Sequence, residues 1–293
     1  MPHVVHTIEL RDDAKPVHVP ARRVPLDKRD ALDAIIDNLL GSGVIRRAAP
    51  SPWSSPIVLV AKKAGAFRFT VDYTNVNKHT TYDAYPVPRI DDILAAVPPD
   101  TALFAVVDVK DAYFAVRIDA ASAPLTAFAV PGRGGFQFNR MPQGLSTAPA
   151  TFARALDTAL EHLGASVCKH YFDDVIIFGA DFDDLLRNLD AVLDALGANN
   201  LYLSLHKCDI AKAEVSFLGH ALTNKGVRVS QSKTAALSDM PLPTTRTEVR
   251  SFLGAANYYR EFVPNFAART AALRHLTTSG TGAIELDADA RAE

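Results

Sequence analysis

Two kinds of apolar pattern alternate along the chain. Short continuous or alternating apolar runs predict strands, and longer stretches with apolar residues three or four positions apart predict helices. The predicted strands are residues 57–60, 67–73, 103–109, a Gly-containing hairpin at 128–138, the runs that flank residues 173–174, and 201–208. The predicted helices are 27–40, about 149–163, 183–196, a short one opened by Asp91 and Asp92, and one that begins with a Thr245–Glu248 capping box and ends near Pro264.

Two adjacent carboxylates, Asp173 and Asp174, lie between two apolar, β-branched runs with no intervening Gly or Asn. The flanks predict strands of about four residues each, which places the pair at a tight hairpin turn. An ordinary turn would explain them, because Asp is common in turns. However, Asp108 also ends a continuous apolar run typical of a buried strand, where a charge is costly unless a positive group pairs with it. Three such acids indicate divalent cations held by oxygen ligands.

The segment Tyr171-Phe172-Asp173-Asp174 resembles the Y-x-D-D box of reverse transcriptases, and Asp108 matches their first catalytic aspartate. The resemblance is closest to polymerases of gypsy-type LTR retrotransposons and runs from about His6 to about Leu276. Some motif residues are closer to those of retroviruses. It implies an α+β right-hand polymerase with an antiparallel palm sheet. The implied domains are an extended lead-in (1–25), fingers with the start of the palm (26–90), palm (91–230, with a finger segment at about 120–140), thumb (231–276) and a tail or start of a connection segment (277–293).

The resemblance also assigns residues to an incoming deoxynucleoside triphosphate. Arg68 and either Lys62 or Lys63 match the cations of the finger hairpin, where a guanidinium fork suits phosphate oxygens and Lys acts as a point charge. A solvated basic turn is the alternative for this hairpin. Tyr113 matches the aromatic gate that excludes a ribose 2′-OH, and core packing is its alternative. The remaining matches are Val109, Asp111, Ala112 and Gln143.

A second set of matches concerns the template–primer. It consists of Tyr171 beside the primer end, the primer-grip hairpin Phe217, Leu218, Gly219 and His220, and the thumb residues Arg250, Gly254 and Tyr258. The thumb residues are four positions apart, which places them on one helix face. Gly in mid-helix costs about 1 kcal/mol relative to Ala. Close approach of nucleic acid would explain Gly254, and so would tight helix packing.

The reaction implied by the resemblance is nucleotidyl transfer, in which a primer 3′-OH attacks the α-phosphate of a dNTP and pyrophosphate leaves. Asp108 and Asp173 would bridge two Mg²⁺ ions, with Mn²⁺ as an alternative, Asp174 as a supporting ligand and the Val109 carbonyl as a further oxygen. Lys207 would approach nucleotide phosphates or simply be exposed. His206 and Cys208 have no second pair at ligand spacing, so zinc is not predicted.

The implied partners are an RNA or DNA template–primer, dNTPs, and the RNase H and integrase parts of a polyprotein, for which this sequence has no motif. The expected location is the cytoplasm, within the virus-like particle of a retroelement, or the nucleus. No apolar run reaches the roughly 18 residues of a membrane helix, and no signal peptide is evident, so no membrane partner is predicted.

Composition is ordinary for a globular protein: 293 residues, 48% hydrophobic and 22% charged. The net charge of −2 does not by itself indicate a nucleic-acid binder. The two cysteines, Cys168 and Cys208, are predicted to be buried thiols rather than a disulfide.

Three other interpretations stay open. One is a related polymerase that makes RNA, which Tyr113 argues against. Another is a catalytically silent nucleic-acid-binding or interaction module derived from a retroelement, which the retained acids argue against and the near-neutral charge leaves open. The third is a metal-dependent nuclease, which also uses clustered carboxylates but has no need of ordered finger, primer-grip and thumb motifs.

Overall fold

The computed structural model describes residues 1, 3–49, 51–61, 67–86, 88–229 and 238–277. The chain divides into two compact units, Met1–Ala211 and Lys212–Glu293. Within the described residues, no helix is both long and apolar enough to cross a lipid bilayer.

The first unit mixes helices and strands along its whole length. Its first half contains β1 (Val5–His6), α1 (Arg29–Gly41), β2 (Ile45–Arg47), β3 (Ile57–Ala61), β4 (Phe67–Val71), α2 (Thr74–His79), α3 (Ile90–Ala95) and β5 (Leu103–Asp108). Its second half contains β6 (Arg117–Ile118), β7 (Phe128–Val130), β8 (Gly134–Phe138), α4 (Ala148–Leu160), β9 (Cys168–Tyr171), β10 (Asp174–Gly179), α5 (Phe182–Ala198) and all but the last residue of β11 (Asp209–Lys212).

A four-stranded sheet in the order β11-β5-β10-β9 forms the centre of the first unit. β5 and β10 are antiparallel, and so are β10 and β9. The four central residues of β5 are buried, as the continuous apolar run predicts for a strand covered on both faces. Helix α5 packs on β10 and α4 packs on α5. The polar ends of β5 and β10 are therefore the places where this sheet emerges from the core.

Three smaller sheets complete the first unit: the parallel pair β1-β6, the hairpin β3-β4, and the sheet β2-β8-β7. On α4, the apolar stripe Phe152, Leu156 and Leu160 is buried, as its helical spacing predicts. The helices predicted at 27–40 and 183–196 and the hairpin predicted at 128–138 are confirmed by α1, α5 and β7–β8. Helix α2 has no counterpart in the predictions.

The strand predicted at 201–208 is wrong. Residues Leu205–Lys207 form a 3-10 turn, and β11 begins only at Asp209. The apolar run misleads because Tyr202 and Leu205 are exposed rather than part of a buried face. Only Leu203 makes a bridge, opposite Val109.

The second unit contains the antiparallel strands β12 (Glu214–Phe217), β13 (His220–Thr223) and β14 (Gly226–Val229), followed by α6 (Arg246–Asn257), α7 (Phe266–Arg269) and α8 (Ala271–His275). Thr245 and Glu248 form the predicted capping box. Helix α6 ends at Asn257, earlier than predicted, because the Tyr258–Tyr259 segment turns into a separate 3-10 helix, Arg260–Phe262. Val249 and Leu273 form a small core between α6 and α8.

Candidate active site

The register of the central sheet brings the predicted acids together. Asp174, the first residue of β10, is the direct partner of Asp108, the last residue of β5. The Val109 N–H donates to the Asp173 carbonyl oxygen at 3.0 Å, which ties the turn to the end of β5. Directly opposed residues of an antiparallel pair point to the same face. Asp108 and Asp174 therefore share one face at the end of the sheet, with Asp173 adjacent.

The hairpin that carries the acids turns one residue earlier than predicted. Tyr171 pairs with Asp174, so the loop consists of Phe172 and Asp173 alone, and Asp174 already belongs to the strand. Phe172 has φ +52°, in the left-handed region that bulky residues rarely occupy. Such strain persists only where the surrounding structure enforces it, and it is concentrated at functional sites.

The negative charges of Asp108 and Asp173 affect the protonation of Asp174. Burial raises the pKa of the Asp174 carboxyl, and the neighbouring charges of Asp173 and Asp108 raise it further, while Lys207 opposes the shift. The Asp108 side chain is only 16% exposed. Neighbouring like charges favour either protonation or a bound cation.

Lys207 supplies a cation inside this site. Its Nζ donates to Oδ1 and Oδ2 of Asp108 at 2.9 and 3.0 Å. This hydrogen bond is the main reason that the pKa of Lys207 is raised. The segment before Lys207 is fixed to the end of β5, since Ser204 N–H donates to the Asp108 carbonyl at 2.9 Å and Lys110 N–H donates to the Tyr202 carbonyl at 2.7 Å. Neither predicted role of Lys207 included this ion pair.

The donor set fits hard divalent cations. Carboxylate oxygens are the ligands that Mg²⁺ and Mn²⁺ prefer, and the ion pair at Asp108 shows that the site accommodates positive charge. Among the described residues, no three His, Cys, Asp or Glu side chains are already arranged around a common metal position. Both cysteines are free thiols as predicted, but only Cys168 is buried, while Cys208 is partly exposed.

The segment after β5 contains several of the predicted nucleotide contacts. Asp111 has φ +48° and precedes a 3-10 helix, Ala112–Ala115. Tyr113 is half-buried, and its ring stacks on Phe152 of α4 with centroids 5.7 Å apart. Burial, followed by the charge of Asp173, raises the pKa of Tyr113. Tyr113 thus packs on the core, as its alternative predicted, and its role as a gate stays a prediction.

The β3–β4 hairpin carries Arg68, which is exposed and pairs with Val60 across the ladder. Lys62 and Lys63 lie outside the described residues.

Gln143 is exposed on a loop whose backbone is fixed by Asn77 of α2. The Asn77 side chain donates to the Gly144 carbonyl and accepts from the Ser146 N–H, both at 2.9 Å. Gly144 has φ +97°, and an added Cβ would lie 3.2 Å from the Val71 carbonyl oxygen. The sequence does not indicate this role of Asn77, because its partners are backbone groups about 70 residues further along the chain.

Tyr171 is half-buried beside the acids, and its ring contacts that of Phe172 edge-on at 4.5 Å. The predicted primer-grip residues form the β12–β13 turn in the second unit. Leu218 and Gly219 have φ of +50° and +82°, and His220 is buried.

The predicted thumb residues lie on the exposed side of α6 and at its end. The Tyr258 hydroxyl donates to the Leu218 carbonyl at 2.8 Å, so Tyr258 also supports the β12–β13 turn. Arg250 donates to the Thr277 carbonyl at 2.9 Å. A Cβ added at Gly254 would meet nothing within 4 Å. Tight helix packing therefore does not account for Gly254, and its open surface is compatible with nucleic acid.

A family model and two similar relatives point to the same protein family. Residues 60–222 match the family model described as reverse transcriptase (RNA-dependent DNA polymerase). The retrovirus-related Pol polyprotein from transposon opus of Drosophila melanogaster is 35% identical over 276 residues, covering 92% of this chain and 27% of the relative. The Tf2-3 transposon polyprotein of Schizosaccharomyces pombe is 33% identical over 260 residues, covering 88% and 19%. The chain thus spans about a quarter of the length of these relatives or less.

Solved structures agree on the fold. A foamy viral protease-reverse transcriptase in complex with double-stranded DNA has a TM-score of 0.88 at 24% identity, covering 98% of this chain and 51% of that one. The same viral protein in complex with an RNA/DNA hybrid gives a TM-score of 0.83 at 24% identity, covering 98% and 40%. The predicted α+β polymerase fold with antiparallel sheets is confirmed.

Proposed function

The chain belongs to the reverse transcriptase (RNA-dependent DNA polymerase) family, and we propose that it extends a primer by RNA-directed DNA synthesis, on an RNA or a DNA template. The observation that supports this most is the register of β5 and β10, in which Asp108 and Asp174 are partners and Asp173 is adjacent. In the proposed reaction, the primer 3′-OH attacks the α-phosphate of a dNTP and pyrophosphate leaves.

Asp108, Asp173 and Asp174, with the Val109 carbonyl, would hold two Mg²⁺ ions, or Mn²⁺ in their place. Bound there, these ions would supply charge neutralisation for the attacking and leaving oxygens. The carboxylates would position the ions, and Lys207 neutralises part of the charge of Asp108. Positioning and charge are the main sources of rate enhancement in such a reaction.

The remaining residues would bind the two substrates. Arg68, with Lys62 or Lys63, would neutralise the triphosphate, while Gln143 and the backbone at Asp111 and Ala112 would orient the nucleotide. Tyr113 would lie beneath the sugar, a role supported by its place directly after Asp111 and Ala112 in the segment that follows β5.

The template–primer would be held by Tyr171 and by residues of the second unit. These are Phe217, Leu218, Gly219, His220, Arg250, Gly254 and Tyr258. The finger, palm and thumb boundaries given by the sequence stay predictions. We further propose that the chain acts as part of a Pol polyprotein with RNase H and integrase parts, in the cytoplasm within a virus-like particle or in the nucleus.

Extension of labelled oligo(dT) on poly(rA) and on poly(dA), with dTTP or UTP and with Mg²⁺ or Mn²⁺, tests the proposed function. We expect extension with dTTP on both templates and little with UTP, because Tyr113 would exclude the 2′-OH. Efficient use of UTP would indicate an RNA-making polymerase, and shortening of the strands would indicate a nuclease. A folded protein that binds the duplex without extending it would indicate a silent binding module.

A further inference from the structure

The carboxylate of Asp157, on α4, connects three separate elements of the first unit, one of which is strand β9 of the hairpin that carries Asp173 and Asp174. Asp157 of α4 accepts a hydrogen bond from the Tyr85 hydroxyl at 2.5 Å through Oδ2. Its Oδ1 lies 2.9 Å from Nε2 of His170 in β9. Tyr85 belongs to the segment that leads into α3. No motif of the sequence analysis includes Asp157 or His170, and the proposed reaction does not use them.

A second contact reinforces the same junction. Arg154, one turn earlier on α4, donates to both carboxylate oxygens of Asp83 at 2.9 and 3.0 Å. Its guanidinium also lies 4.7 Å from the centroid of the Tyr85 ring. The hydrogen bond to Asp157, together with burial, raises the pKa of Tyr85 to about 12, so Tyr85 remains a donor at neutral pH. The segment 83–85 is thus attached to α4 at two points.

His170 connects this junction to the catalytic hairpin. Side chains alternate along a strand, so His170 points toward α4 while its neighbours Lys169 and Tyr171 point to the opposite face. The His170 side chain is only 10% exposed. Because an ionised carboxylate only accepts hydrogen bonds, Nε2 of His170 carries the proton in this contact. The next residues along the chain are Tyr171, the Phe172–Asp173 loop and Asp174.

We propose that Asp157 is a positioning residue for nucleotidyl transfer, acting through His170 on the strand that presents the catalytic acids. This inference rests on the proposed function. Because the loop between β9 and β10 has only two residues, a displacement of β9 also displaces Asp173 and Asp174. A displacement of about 1 Å at a reacting centre costs roughly 100-fold in rate. Of the residues proposed to hold the template–primer, only Tyr171 belongs to β9, so the affinity for the template–primer should change much less than the rate.

The test compares Asp157→Ala with His170→Leu and His170→Gln, and uses Asp190→Ala, an exposed acid of α5, as the matched control. Gln retains an N–H donor for Asp157, whereas Leu does not. Single-turnover incorporation by Asp157→Ala and His170→Leu should fall about 10- to 100-fold. His170→Gln should recover most of the rate, and Asp190→Ala should match the parent. The Kd for the template–primer should stay within about twofold in all four variants.

Amide hydrogen exchange of residues 168–175 gives a readout that is independent of activity. Exchange there should be faster in Asp157→Ala and unchanged in Asp190→Ala. A parent that fails to extend a primer would refute the proposed function, while the exchange comparison would still test the attachment. Unchanged exchange and rate in Asp157→Ala, or equal losses in His170→Gln and His170→Leu, would overturn the positioning role.

Discussion

Replacing Lys207 with Met tests whether its ammonium is the internal counter-ion of the proposed catalytic acids. Met keeps much of the aliphatic length and removes the charge. The variant leaves Asp108 without the two hydrogen bonds at 2.9 and 3.0 Å that it now accepts. It also removes a positive group that a divalent cation must displace or tolerate near Asp108. We therefore expect opposite effects on the metal-free protein and on metal binding.

The size of the effect follows from how exposed the two partners are. Exposed ion pairs contribute about 0.2–1 kcal/mol, and breaking a fully buried pair costs about 3–5 kcal/mol. Lys207 is 56% exposed and Asp108 16% exposed, which places this pair near the lower range, at about 1 kcal/mol after solvent screening. The melting temperature of the metal-free protein should fall by about 2–4 °C. The Kd for a divalent cation, measured without nucleotide, should fall about fivefold.

The assay is a titration of the free protein with Mn²⁺, with unbound Mn²⁺ measured by electron paramagnetic resonance and melting followed in parallel. Lys225→Met, an exposed lysine in the β13–β14 turn, is the control for loss of one positive charge. Tighter Mn²⁺ binding by Lys207→Met alone, with a lower metal-free melting temperature, is the expected result. Unchanged or weaker Mn²⁺ binding by Lys207→Met would refute the counter-ion role.

Three further predictions concern stability. Burial lowers the pKa of His6 from 6.5 to about 4, so the unfolded chain binds a proton at a higher pH than the folded protein does. The folded state therefore loses stability as the pH falls below about 6.5. In urea unfolding between pH 7 and pH 5, the parent should lose about 2 kcal/mol more than His6→Asn. Gly179→Ala should lower the free energy of unfolding by about 1–3 kcal/mol in thermal melts, since the added Cβ would lie 2.5 Å from the Cβ of Leu185. The control Gly197→Ala adds a Cβ with nothing within 4 Å and should be neutral or stabilising. Thr245→Ala should destabilise α6 by about 1 kcal/mol and Thr245→Ser should not, as measured by hydrogen exchange of the α6 amides; equal exchange in the two variants would contradict the capping role.

The acids could be predicted because their signal is local. A continuous apolar run identified β5 as a buried strand, and a charge at the end of such a run needs a positive partner. The Y-x-D-D match then predicted that Asp173 and Asp174 join Asp108, and the strand register brings Asp108 and Asp174 into direct pairing. What the sequence could not give is the exact turn, because nothing in it marks Phe172 as the residue with positive φ.

The supporting contacts could not be predicted because their partners lie far apart in sequence. Lys207 reaches Asp108 only because the chain at 202–204 turns back along the end of β5. Asn77 and Asp157 contact groups in loops and strands that no periodicity relates to them. Their residue types are common on protein surfaces, so only the tertiary structure reveals these contacts.

Primer extension by the Asp173→Asn, Asp174→Asn double variant tests the central claim most directly. The substrate is poly(rA)·oligo(dT) with dTTP and Mg²⁺, and Asp91→Asn, Asp92→Asn, an adjacent acid pair at the start of α3, is the matched control. We predict extension by the parent and the control and none by the double variant, with folding confirmed by circular dichroism. Extension by the folded double variant, or its absence in a folded parent, would contradict the account.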